Sequence, residues 1–387
     1  MDKTIGLACN ISTGKLDANQ AVSGGEYPFF TCAEFPDQID HFAYDDDVVL
    51  VAGNNARGNF HVSRYKGKFN AYQRTYILTA KEGFNIDYVY YALKLELKRL
   101  REKSQGSQTK FLTMPILTGI HFRDISGEEQ TEIANVLSAI DKKIELNNRI
   151  NAELEAVAKT LYDYWFVQFD FPDDSPQGQG KPYKTSGGKM VYNPTLKREI
   201  PEGWSDKTLS EIANITMGQS PEGSSYNDEG VGTIFYQGST DFGWLFPTTR
   251  QYTTAPSRMA KKGDILLSVR APVGDMNIAN TDCCIGRGLA ALNSKTGSDG
   301  FLFYVMKYFK QIFDRRNSEG TTFGSITKND LHSLTLAYPT LDLLKKYDEI
   351  VTNYNKMIFE RSLENRELVS LRDWLLPMLM NGQVTVR

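Results

Sequence analysis

The chain is 387 residues long, 41% hydrophobic and 24% charged, with a formal net charge of −3 at pH 7. This is ordinary globular composition with room for two or three domains, and it excludes a polybasic nucleic-acid coat. Cys9, Cys32, Cys283 and Cys284 fit neither a disulfide framework nor a CxxC metal pattern, and no apolar run reaches the roughly 18 residues of a membrane span. The adjacent pair Cys283 and Cys284 reads as two small apolar strand residues. Residues 1–20 lack the apolar core of a signal peptide, so the expected location is cytoplasmic.

Residues 1–127 read as a compact α+β module. The spans 47–52, 60–65 and 75–79 predict short strands separated by Gly and Asn turns. The span 88–100 predicts a helix that buries Tyr88, Tyr91, Ala92 and Leu95. Its opposite face carries Lys94, Lys98, Arg99, Arg101 and Lys103 interrupted by Glu96 and Glu102, a mixture expected of a solvated face.

The span 128–166 then carries an unbroken four-three apolar spacing without Pro or Gly. Ile133, Ile140, Asn147, Leu154 and Leu161 form one row, and Leu137, Ile144, Asn151, Ala158 and Trp165 the other. This pattern predicts a helix on the order of 55 Å long that needs a second long helix to cover it. A Pro/Gly-rich connection follows over 169–203.

From 204 to 340 the first module recurs. Asn10-Ile-Ser-Thr-Gly14 returns as Asn214-Ile-Thr-Met-Gly218, Asp47-Val-Val-Leu50 as Asp264-Ile-Leu-Leu267, and Gly106-Ser-Gln-Thr109 as Gly320-Thr-Thr-Phe323. Residues 341–387 repeat the long helix 214 residues on, so that Ile144 is echoed by Ile358, Asn151 by Asn365 and Leu154 by Leu368, with Leu375 continuing the row. The boundaries are therefore 1–127, 128–168, 169–203, 204–340 and 341–387. Two such units are expected to pair their helices antiparallel as a coiled coil about a pseudo-twofold axis, with Asn151 and Asn365 selecting the register. That form suits a ligand with its own dyad, of which duplex DNA is the obvious example.

Several motifs carry a family likeness: Leu161-Tyr-Asp-Tyr-Trp-Phe166, Gly180-Lys-Pro-Tyr183, Pro201-Glu-Gly-Trp204 and Leu376-Pro-Met-Leu-Met-Asn-Gly382. With the tandem plan, they make the whole chain resemble the specificity subunit of type I restriction-modification systems. The resemblance implies two target recognition domains reading a bipartite site in double-stranded DNA, and paired helices that set their separation. It also implies docking of two methyltransferase subunits, and of endonuclease/translocase subunits in the full assembly. S-adenosylmethionine would belong to the methyltransferase partner, and ATP and Mg to the endonuclease partner. A Pro-x-x-x-Glu-Gln signature at the start of each helix is split here between Glu129-Gln130 and Pro339.

No catalytic motif stands out in the chain. Gly178-Gln-Gly180 and Tyr192-Asn-Pro-Thr195 lack the strand-to-helix context of a methyltransferase site, and His41, His61, His121 and His332 show no metal spacing. The expectation is a noncatalytic chain with no cofactor and no metal of its own. Two other classes are weighed beside it. Methyl transfer by the pure chain would mark a solitary DNA-modifying enzyme, and partner binding without DNA discrimination would mark a coiled-coil adaptor.

Base edges are read by Arg, Asn and Gln through paired donors and acceptors. The loops richest in these residues offer Asn54, Asn55, Arg57, Gln73 and Arg74 in the first module, and Gln219, Gln237, Arg250, Arg270 and Arg287 in the second. Lys66 and Lys68 are candidate phosphate contacts. Arg57 and Arg270 follow matched strands, and Arg74 and Arg287 lie near matched positions. The polar loops 106–110 and 320–324 either present hydroxyls to the DNA backbone or close a core. For the helix seam and partner docking, the candidates are Leu137, Ile140, Ile144, Asn151, Leu154, Trp165, Ile358, Asn365, Leu368 and Leu375.

Overall fold

The computed structural model describes residues 3–54, 60–103, 111–318 and 325–386. The chain divides into two compact units, one formed by Met1–Asn147 with Leu363–Arg387, the other by Asn148–Ser362.

The first unit is built on a six-stranded sheet. Its strands are β1 (Cys9–Thr13), β2 (Tyr27–Phe30), β3 (Asp37–Ile39), β4 (Tyr44–Ala52), β5 (Val62–Ala71) and β6 (Thr75–Ala80), in the order β1-β6-β4-β5-β2-β3. All pairings are antiparallel except β2 with β5, where Phe29 faces Asn70 and Phe30 faces Ala71. The expected strands are thus present, and two of them are longer: the hairpin of β4 and β5 extends through Asp45, Asp46, Lys66 and Lys68, whose polar character hid it. Helix α1 (Ile86–Lys103) buries Tyr88, Val89, Tyr91, Ala92 and Leu95. Asn85 caps it by accepting from the amides of Asp87 and Tyr88.

Helix α2 (Gly127–Tyr162) starts where the Ser126 hydroxyl accepts from the Glu129 amide, with Glu128 and Glu129 favourably placed in the first turn. The fully buried Gln130 fixes this start to the module. Its Oε1 accepts from the Asn85 amide at 3.0 Å and its Nε2 donates to the Ile125 carbonyl at 3.2 Å. Glu129 pairs with Arg123 at 3.0 Å. Both halves of the Glu-Gln signature are therefore occupied inside the unit. The predicted run to Phe166 ends differently, because after Tyr162 the helix widens into a single π turn, Asp163–Val167.

The last helix, α4 (Leu341–Met380), follows α3 (Asp299–Ser318) of the second unit. Within the first unit α4 runs against α2. Arg372 donates to Asp141 at 2.8 Å, and the Asn147 amide donates to Glu364 at 2.8 Å and to Asn365 at 2.9 Å. Asn365 is thus bonded to Asn147, one helical turn before Asn151. Asp141 also accepts from the Tyr91 hydroxyl at 2.8 Å, so Arg372 is neutralised by a carboxylate anchored to α1. The chain stops helix α4 with Gly382 at φ +71°, where the amide of Gln383 turns back to Met378. Ile5, Val49, Leu78, Tyr88, Leu137, Leu379 and Met380 share the unit's main core.

In the second unit β7 (Ala213–Met217), β9 (Ile265–Ser268), β10 (Met276–Ile278) and β12 (Leu289–Ser294) form a sheet in the order β7-β12-β9-β10. A second sheet contains β8 (Thr233–Tyr236) parallel to β11 (Cys283–Ile285). Cys283 and Cys284 are fully buried in β11, as two small apolar strand residues should be. Three of the family-like motifs, those at 161–166, 180–183 and 201–204, meet in one aromatic core here. Trp204 packs on Phe166, Phe169 and Phe171 with centroids 6.1, 5.2 and 5.5 Å away, and Trp165 and Phe166 meet Tyr347 at 5.9 and 5.0 Å. Within this unit α2 and α4 are again antiparallel: the Asn151 amide reaches the Ser362 hydroxyl at 3.4 Å, and the Tyr347 hydroxyl donates to the Ala158 carbonyl at 3.3 Å. All ten row positions, nine in α2 and Trp165 in the π turn, are buried or half-buried, Leu154 and Ile144 among the latter.

Candidate nucleic-acid interface

The same backbone junction is built once in each unit. In the first, the amide of Tyr72 bonds the Phe30 carbonyl at 2.9 Å at the end of the parallel pair. Gly14 bonds Thr75 at 3.1 Å, Gly53 bonds Arg74 at 2.8 Å, and Leu112 bonds Gly53 at 2.9 Å. In the second, Gly286 bonds Tyr236 at 2.8 Å, Gly218 bonds Leu289 at 2.9 Å, Val269 bonds Gly288 at 2.9 Å, and Ile326 bonds Val269 at 2.8 Å. Asn54 bridges Phe111 as Arg270 bridges Ser325. The glycines of the repeated Asn-Ile motif are needed for close approach. A Cβ on Gly14 would lie 2.2 Å from the Ala71 carbonyl oxygen, and one on Gly218 would lie 2.1 Å from that of Gly286.

This correspondence refines the near match of Arg74 with Arg287 by one residue, while Arg57 lies outside the described residues. Arg270 occupies the place of Asn54, and Arg287 that of Gln73, because the connecting loops differ in length and the backbone bonds, not the residue count, fix equivalence. Asn55 and Arg57, like the loops 106–110 and 320–324, lie outside the described residues.

Each junction gathers exposed polar side chains on one surface. In the first unit these are Gln73 and Arg74, with Asn54 half-buried beside them. Gln73 donates to Asp17 at 2.7 Å, and the Arg74 guanidinium lies 5.9 Å from the Phe111 ring centre. Gln219, Gln237, Arg270 and Arg287 are exposed at the second. Ser220 organises it, since its hydroxyl meets the Gln237 amide group at 2.9 to 3.0 Å and accepts from the Arg287 amide at 3.2 Å. Pre-positioned amides and exposed guanidinia are the groups that address base edges. Asp17 and Phe111, which hold two of these side chains, had no sequence signal, because neither lies in a loop rich in readers.

The remaining candidates sit elsewhere. Lys66 is in the middle of β5, ion-paired with Asp47 at 3.4 Å, and the Lys68 ammonium lies 4.6 Å from the Phe42 ring centre. Arg250 is exposed but bound to the buried carboxylate of Asp241. Among the described residues, no group of three or more His, Cys, Asp or Glu could hold a metal ion.

Comparison with known proteins follows this geometry. The family described as the type I restriction modification DNA specificity domain matches residues 2–156 and 201–366, one stretch around each junction. The chain belongs to the type I restriction-modification DNA specificity family. It is 32% identical over 332 residues to a Methanocaldococcus jannaschii protein named "Putative type I restriction enzyme MjaX specificity subunit", covering 83% of this chain and 70% of that one. The Escherichia coli type I restriction enzyme EcoDI specificity subunit is also 32% identical, over 54% of this chain and 48% of its own length. In fold, this specificity chain is similar to the S subunit of a type I restriction-modification system from M. genitalium, with a TM-score of 0.64, 18% identity, and coverage of 98% and 96% of the two chains. No helix of the described residues is long and apolar enough to cross a membrane.

Proposed function

We propose that this specificity chain reads a bipartite site in double-stranded DNA, one half with each junction, and delivers that site to catalytic chains. The observation that carries the reading is the duplicated junction, with half-buried Asn54 opposite exposed Arg270 and exposed Gln73 opposite exposed Arg287 inside the two family-matched stretches. In this reading Asn54, Gln73 and Arg74 address one half-site, and Gln219, Gln237, Arg270 and Arg287 the other. Lys66, Lys68 and Arg250 are secondary, since none belongs to the duplicated backbone junction.

The finer architecture belongs to the same proposal. Two target recognition domains are joined by paired antiparallel long helices with coiled-coil rows, and those helices dock two methyltransferase subunits. The methyltransferases carry S-adenosylmethionine; endonuclease/translocase subunits, where present, carry ATP and Mg. This chain contributes recognition and assembly, not bond chemistry.

The test is to map methylated motifs across the genome of cells that express the methyltransferase with and without this chain. A two-part motif should appear only with it. The same motif in both strains, or methylation by the purified chain alone, would overturn the proposal.

A further inference from the structure

Beside the first junction lies a groove of about 430 Å³ that the recognition reading does not use. One wall is helix α1, presenting Lys94, Lys98 and Arg101. The other is formed by Glu34 and Phe35 with the first residues of the hairpin, among them His61. Phe35 is 76% exposed. Both segments of that wall are tied to the junction. Cys32, three residues before Phe35, contacts the Arg74 carbonyl at 3.7 Å, and His61 accepts from the Ala52 amide at 2.9 Å, two residues before Asn54. The groove is therefore a continuation of the candidate reading surface.

Its charge is cationic. Among the described residues neither Lys94 nor Lys98 has a carboxylate within salt-bridge distance, and Lys94 rests over the Tyr90 ring at 5.0 Å. Among the described residues Glu34 is the one acidic residue lining it. The second unit does not repeat this arrangement. With Tyr91 opposite Tyr304, Lys94 corresponds to Lys307, which is turned onto Glu155 and the rings of Phe303 and Tyr304. Lys98 corresponds to Gln311, and Arg101 to Asp314, which is paired with Lys310 at 3.1 Å.

We propose that this groove holds the phosphate backbone of duplex DNA flanking the half-site of the first module, giving that module a sequence-independent grip that the second lacks. The proposal rests on the recognition reading, and it adds an asymmetry to it. Lysine ammoniums spaced along one helix face suit successive phosphates, and such contacts strengthen binding uniformly while releasing counterions.

The experiment uses the full chain in its complex and duplexes bearing the methylated motif, compared with scrambled duplexes of equal length. K94Q/K98Q should weaken both equally and reduce the slope of log affinity against log salt by about two, one per lysine. K98Q alone, at an exposed position, should lower the slope by about one and controls for folding. Trimming the flank on the first module's side should remove the difference between wild type and variant, while trimming the other flank leaves it. An unchanged slope, with the motif still preferred over the scrambled duplex, overturns the groove assignment and leaves recognition standing. A wild-type complex that shows no preference between the duplexes overturns recognition itself.

Discussion

Arg270 is the most informative single side chain, because it is exposed, lies at a fixed backbone position and has its structural counterpart in Asn54. Arg270→Ala should cost about 1 to 3 kcal/mol of binding and relax the motif at one base position, read from the methylated sequences. A loss spread evenly over all sequences would make it a phosphate contact instead. Gly218→Ala probes the scaffold below it. A methyl group 2.1 Å from a carbonyl oxygen must displace the Gly286 turn, so unfolding in urea should show a loss of about 1 to 3 kcal/mol, with motif discrimination weakened as Arg287 moves. The variant binding and unfolding like wild type would show that the turn relaxes freely. At this scale the sequence was only partly legible. Residue types and exposed loops pointed to Gln73, Arg74, Arg270 and Arg287, but equivalence between modules is carried by backbone hydrogen bonds that leave no mark in residue spacing. Asp17, which orients Gln73 through a side-chain bond across 56 positions, left no mark either.

Helices were the most legible elements, since burial along a partner forces a heptad that any reader can count. What escaped notice was aperiodic. Gln130 satisfies its amide on two backbone groups, and the π turn at Asp163–Val167 re-aims Trp165 and Phe166 into the aromatic core without changing composition. Short helices differ between the modules in a way that acid should expose. In the second module Thr208 and Thr327 open the helices Leu209–Ile212 and Lys328–Ser333 with capping boxes. The backbone and side chain of Thr208 hold the Glu211 carboxyl below its ordinary range, as the side chain and backbone of Thr327 do for Asp330. A carboxyl with a lower value folded than unfolded stabilises fully above the unfolded value, and loses that contribution as pH falls through the folded one. The matching helices Ile5–Ala8 and Met114–Thr118 have no acidic residue in their first turns. Hydrogen exchange in solution acidic enough to protonate these carboxylates, below their ordinary range, should therefore rise first at 209–212 and 328–333. Equal loss of protection in both modules would contradict this account.

On the scale of the whole molecule, recognition is proposed to be modular. Replacing residues 204–338 by the matching segment of a relative should change one half of the methylated motif and preserve the other. Loss of both halves from an assembled complex would show that the junctions do not read independently. The tandem plan was legible because two copies of one pattern are easier to see than either alone, but the division into cores was not. The first core is discontinuous: Leu379 and Met380 are buried among residues of the first 137, while the second unit is continuous in sequence from Asn148 to Ser362. That interleaving has a consequence during synthesis. Domains ordinarily fold from the N-terminus as the ribosome proceeds at about 5 to 20 residues per second. Here the earliest module waits for the last helix to emerge, an interval on the order of 10 to 50 seconds at those rates, while the later module has all its residues in hand first. A chain ending at Ser362 and tethered to a stalled ribosome by a flexible extension long enough to clear the exit tunnel should protect the second module from protease and leave the first susceptible.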